Sequence, residues 1–301
     1  MKGVDTSRRG ARGYPDFVIA GAAKCGTTAL YAYLTAHPQV AMSSRKEPYF
    51  WCPDIPVPDA VADPATYAAL WQHAPADGLR GEATPAYIRS ATAAARILAS
   101  NPGTRFVVML RNPTEMAASY HAQMLFSLHE TEASFHKAWA LQERRRRGKS
   151  IPVACPFPPD LQYAEVCALG DQLERMTAIV PPQQLKVVLL DDLRADPRRV
   201  YLEVLLFLGL EDDGRTHFAP VNQNRRRKAL PLTRLARRVG ASRPLARLRL
   251  SRLIDRLSAR EGPRQPLDPH FAATLHAFFL PQVEKLETLL DRNLDAWKSP
   301  R

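Results

Sequence analysis

The segment Gly21-Ala22-Ala23-Lys24-Cys25-Gly26-Thr27-Thr28 brings two glycines, a lysine and two adjacent hydroxyls together. Such a set suits an anion: glycines let the backbone approach a phosphate, and the amides at a helix start point towards it. The flanks fit that use. Apolar Phe17-Val18-Ile19-Ala20 reads as a strand, and Ala29-Leu30-Tyr31-Ala32-Tyr33-Leu34 continues as a helix. Gly21, Gly26 and Thr28 keep the spacing of the nucleotide-triphosphate loop, G-x-x-x-x-G-K-S/T. Thr27, however, stands where that motif has its lysine, and the lysine lies inside the loop as Lys24. In NTPases the motif lysine reaches the β- and γ-phosphates while the hydroxyl holds magnesium. Its displacement argues against a magnesium-dependent NTPase. It puts a cation where a group attached directly to a 5′-phosphate would lie. A tight turn with a solvated lysine is the alternative reading.

A second constellation follows Arg105-Phe106-Val107-Val108-Met109-Leu110, whose apolar run reads as a buried strand. Arg111 and Asn112 fall just past its carboxyl end, where open α/β sheets place their ligands. Pro113 suits the first turn of a helix over about 114–126, which carries Ser119. A guanidinium fork matches phosphate oxygens, and a hydroxyl adds a donor. A surface ion pair and a solvated serine are the alternatives. A further strand is expected at Gln184-Leu185-Lys186-Val187-Val188-Leu189-Leu190, then a helix ending at Phe207-Leu208-Gly209, with Gly209 suited to the helix end.

Taken in order, these segments resemble sulfotransferases that use 3′-phosphoadenosine 5′-phosphosulfate (PAPS), in particular the heparan-sulfate-type and bacterial members. Pro15 to Leu30 resembles the family's 5′-phosphosulfate loop. The resemblance implies that Ala23, Lys24, Cys25, Gly26, Thr27 and Thr28 surround the phosphosulfate, and that Arg111 and Ser119 bind the 3′-phosphate. Arg45-Lys46-Glu47-Pro48-Tyr49-Phe50-Trp51 resembles a segment in which the family places a general-base carboxylate at the Glu47 position. A base there is useful because an alcohol is a poor nucleophile until its proton is being removed; a surface pair with Lys46 or Arg45 is the competing reading. Gly81-Glu82-Ala83-Thr84-Pro85-Ala86-Tyr87 resembles a family turn in which some members carry an acceptor-contacting lysine at the Ala83 position. Glu82 and Tyr87 either face the acceptor or support the turn. Val221-Asn222-Gln223-Asn224-Arg225-Arg226-Arg227-Lys228 corresponds to a basic loop that closes over the cofactor phosphates, with Arg225, Arg226 and Arg227 taken as a group. The Leu294-Asp295-Ala296-Trp297 ending resembles the family's terminal scaffold.

The resemblance implies an α/β fold, a P-loop-like parallel sheet flanked by helices on both faces. The reaction implied is sulfuryl transfer from PAPS, without a metal, to a hydroxyl or amine of a small-molecule, carbohydrate or natural-product acceptor. Lys24 and Glu47 are the implied catalytic pair. Composition agrees. The net charge of +12 favours anionic partners, but no nucleic-acid-reading motif accompanies it. Cys25, Cys52, Cys155 and Cys167 form no C-x-x-C pair. Such sparse usage suits a reducing cytoplasm and a bacterial-type enzyme. No segment reaches membrane-spanning length.

A single domain over 14–301 is expected after a mobile basic tail at 1–13. Within it, 125–160 reads as an acceptor-cleft insertion. The arginine–leucine stretch at 230–260 reads as two amphipathic helices on the core, or as a basic lid or membrane-surface patch. Two rival functions remain: a small-molecule kinase on the same loop, and a basic nucleic-acid- or lipid-binding protein.

Overall fold

The computed structural model describes residues 14–75, 77–219, 225–227, 259–261 and 267–299. The expected tail at 1–13 and nearly all of the 230–260 segment lie outside the described residues.

Five parallel strands form the central sheet: β1 (Phe17–Gly21), β2 (Val40–Met42), β3 (Leu79–Ala83), β4 (Arg105–Leu110) and β5 (Leu185–Leu189), in the order β2-β3-β1-β4-β5. The central pair is buried on both faces: Phe17 to Ala20 and Phe106 to Leu110 are fully inaccessible. That is why both strands read as unbroken apolar runs and not as alternating ones. Flanking helices cover the sheet: α1 (Thr27–Thr35), α2 (Pro64–Ala68), α3 (Ala93–Ser100), α4 (Pro113–Phe126), α5 (Phe135–Ala140), α6 (Gln142–Arg146), α7 (Tyr163–Val166), α8 (Leu169–Thr177), α9 (Leu190–Ala195), α10 (Pro197–Leu208) and α11 (Pro269–Leu290). Gly209 caps α10 in the left-handed conformation, as its position predicts.

The segment between α4 and α8 is held by a buried charge cluster. Arg145 meets both oxygens of Glu130, at 2.7 and 2.8 Å, and the two side chains are 1% and 0% exposed. Glu130 also accepts from Tyr163 Oη and from the amides of Thr131 and Glu132. A buried carboxylate supplied with that many donors stays ionised. Its carboxyl is held below the ordinary range even though burial pushes the other way.

The C-terminal helix α11 lies against α8 and α4. The turn after it reaches back to the sheet edge. The Trp297 carbonyl accepts from Asn112 Nδ2 at 3.3 Å, and the Trp297 indole donates to Asp191 Oδ2 at 2.8 Å. A separate antiparallel pair joins β6 (Arg225–Arg227) to β7 (Ala259–Glu261), and β6 runs beside α4.

Candidate active site

The loop leaving β1 is shaped by its backbone. Gly26 caps α1 with φ 91°, and no side chain caps that helix start. The first amides of α1 are therefore left for a ligand, and the helix dipole favours a negative one. Lys24 also sits in left-handed backbone, at φ 64°. Its ammonium donates to Gln123 Oε1 on α4 at 3.1 Å. Cys25 stands apart from its neighbours. Its side chain is buried, near Met116 Sδ at 3.9 Å, and its amide donates to Ala22 O at 3.3 Å. Burial pushes that thiol up to about 12, so it is unsuited to nucleophilic chemistry. Expected among the loop's contact residues, Cys25 does not line the cleft; Ala23, Lys24, Gly26, Thr27 and Thr28 do.

Arg111 follows the buried end of β4 and is only 5% exposed. Its Nε and Nη2 both donate to Glu115 Oε2, at 3.0 and 2.5 Å, one turn along α4. Its Nη1 donates to the Lys24 carbonyl at 3.4 Å. One guanidinium thus joins the loop after β1 to the start of α4. Asn112 caps that helix by accepting from the amide of Thr114 at 2.9 Å. Ser119, two turns on, is buried to 1% and borders the same cleft.

Glu47 enters from the opposite side of the sheet order. Its amide donates to the Ala83 carbonyl at the end of β3, and its φ is 62°. Lys46 Nζ lies 2.5 Å from Oε1, and Tyr49 Oη donates to Oε2 at 3.3 Å. The long second bond leaves Oε2 the more available oxygen. Lys24, Glu47, Arg111 and Ser119 all line one cleft of about 1730 Å³.

Glu82 and Tyr87, left open between acceptor and turn, are both fully buried. Glu82 accepts from Tyr67 Oη and, at 2.7 Å, from Thr84 Oγ1. Burial raises its carboxyl to about 6, against those bonds. They support the turn. The backbone of Arg225, Arg226 and Arg227 forms β6 beside the Ser119 helix, and their side chains lie outside the described residues. Sequence reasoning missed Arg194 on α9, which borders the cleft and approaches Glu115 Oε2 at 3.9 Å. Its place after the carboxyl end of β5 was the available signal.

A central parallel sheet, a glycine-bounded loop at its first crossover and a buried arginine beside it define a P-loop-like α/β fold. Comparison with known proteins narrows this: residues 14–219 match the Sulfotransferase domain family, and the chain belongs to it. A solved sulfotransferase from Alicyclobacillus acidocaldarius superimposes with TM-score 0.72 at 26% identity, covering 95% of this chain and 99% of that one. Human heparan sulfate glucosamine 3-O-sulfotransferase 6 is 35% identical over 119 residues, which is 38% of this chain and 32% of that protein. The membrane-associated sulfotransferase kil1 of Dictyostelium discoideum is 33% identical over 108 residues, 36% of this chain and 22% of that protein. The chain thus matches between about a fifth and a third of the length of these two relatives. Among the described residues, no helix is long and apolar enough to cross a membrane.

Proposed function

We propose that this protein transfers a sulfuryl group from PAPS to a hydroxyl or amine of a small-molecule, carbohydrate or natural-product acceptor. The observation that carries the reading is the bond from Arg111 to the Lys24 carbonyl, in a cleft that also holds Glu47. The donor set fits the nucleotide: an uncapped helix start, two hydroxyls, an ammonium and a buried guanidinium, all able to face anionic oxygens.

When bound, PAPS supplies an activated sulfuryl group on a phosphate leaving group. In this reading the α1 amides with Thr27 and Thr28 hold the 5′ end, while Arg111 and Ser119 hold the 3′-phosphate. Arg225 to Arg227 lie on the strand beside α4 and complete the phosphate contacts. Lys24 meets charge gathering on the leaving oxygen, where a preorganised cation is most effective. Glu47 Oε2 takes the acceptor proton as its oxygen or nitrogen becomes the nucleophile. Lys46 holds the other oxygen and keeps the base in place. The reading assigns no metal, and four free cysteines suit a reducing cytoplasm.

Calorimetry separates this reading from a kinase. We expect 3′,5′-phosphoadenosine, the desulfated cofactor, to bind and to raise the melting temperature, and ATP with magnesium to do neither. Binding of ATP–magnesium in preference would overturn the assignment.

A further inference from the structure

The cleft carries three more polar side chains, brought together from separate segments: Arg89 after the β3 turn, Tyr120 on α4, and Asp160 from the 3-10 turn Pro158–Leu161. Arg89 Nη2 donates to Asp160 Oδ1 at 2.6 Å, and the two side chains are only 19% and 16% exposed. A guanidinium has five N–H donors. The others on Arg89, and Asp160 Oδ2, have no protein partner among the described residues. Tyr120 is 6% exposed, and its hydroxyl likewise has no partner there. Polar groups this deep are normally satisfied. Here the spare donors and acceptors of three such side chains border a single cleft, where a ligand can reach them.

The charges define which ligand. Arg89 and Asp160 cancel. Tyr120 stays a neutral phenol: burial raises it well above its ordinary value, Asp160 adds to that, and Arg89 opposes it. A carboxylate or sulfate on the ligand would meet Asp160, and an ammonium would meet Arg89. A neutral group offering several hydroxyls suits both. Aromatic surface lies alongside: Phe157 packs 6.0 Å from the Arg89 guanidinium, and Tyr49, which feels the Asp160 charge, is bonded to the base Glu47.

We propose that Arg89, Tyr120 and Asp160 form an acceptor subsite for a neutral polyhydroxylated ring, with Asp160 Oδ2 accepting from one ring hydroxyl while Arg89 and Tyr120 bond its neighbours. The inference rests on the sulfuryl-transfer reading; Tyr49, bonded to the proposed base Glu47, lines the same cleft.

The test uses two probes differing in one group: p-nitrophenyl β-D-glucopyranoside and p-nitrophenyl β-D-glucuronide, each with radiolabelled PAPS. Wild-type protein should favour the neutral glycoside in kcat/KM. Asp160→Asn should raise its KM about tenfold with kcat held, because the ring hydroxyl exchanges a charged acceptor for a neutral amide. Tyr120→Phe, which keeps the ring and so guards against misfolding, should raise KM about threefold. Affinity for 3′,5′-phosphoadenosine should not move in either variant. Preference for the glucuronide, unchanged KM in both variants, or no saturation by the glucoside in protein that binds 3′,5′-phosphoadenosine would overturn the subsite. Failure to bind 3′,5′-phosphoadenosine at all would instead sink the sulfuryl-transfer reading beneath it.

Discussion

Two sides of the cleft, to which the proposed function assigns nucleotide and acceptor, are held by different forces. Lys24 and Arg111 follow β1 and β4, whose buried runs Phe17–Ala20 and Phe106–Leu110 are set by close packing. The acceptor side rests on the segment between α4 and α8, where short helices surround the Glu130–Arg145 pair. Apolar packing tolerates no displacement without a cavity. A buried ion pair tolerates none without an orphaned charge.

Four experiments bear on that contrast, from the largest effect downward. Lys24→Ala should leave the fold intact and cut transfer by on the order of 10³-fold or more, read by radiolabelled turnover beside a circular-dichroism melt. Retained turnover would remove Lys24 from the mechanism. Arg145→Met strands the Glu130 carboxylate and should cost about 3–5 kcal/mol in denaturant unfolding. A loss below about 1 kcal/mol would mean that the acceptor wall does not depend on the pair. Glu47→Gln should lower kcat about 100-fold while affinity for 3′,5′-phosphoadenosine stays level; a matching loss of nucleotide affinity would place Glu47 on the wrong side of the comparison.

The smallest effect concerns Glu82. Burial raises its carboxyl from 4.5 to about 6, so the folded state keeps a proton that the unfolded chain has released. Its contribution is fully present below pH 4.5, falls by about 2 kcal/mol as pH rises to about 6, and is level above that. Stability measured across this window should show the decline in wild type and a flatter profile in Glu82→Gln. A wild-type profile that rises instead would show the charge to be better satisfied than Tyr67 and Thr84 alone can make it.

The same contrast explains what could be read from sequence. The loop from Gly21 to Thr28, the strand before Arg111 and the cap at Gly209 each carry their signal within a few residues, because local backbone geometry demands particular side chains. Glu82 does not. From sequence it reads equally as facing the acceptor or supporting the turn, and only the hydroxyls of Tyr67 and Thr84 show why it is inside. Arg89, Tyr120 and Asp160 were equally silent. Their meaning lies in a juxtaposition across 71 positions of chain, and no periodicity marks it. Residues 125–160 read from sequence as an acceptor-cleft insertion and not as an ion-pair scaffold, since Glu130 and Arg145 resemble any charged surface pair until both are seen buried.

Lys24 and Glu47 share one backbone peculiarity, a positive φ that L-residues adopt at a cost of about 1–3 kcal/mol each. Glycine would relax both turns. Directed evolution of this chain for heat resistance alone would therefore drift towards glycine at both positions, and if the proposed roles hold it would yield a sturdier and inert protein.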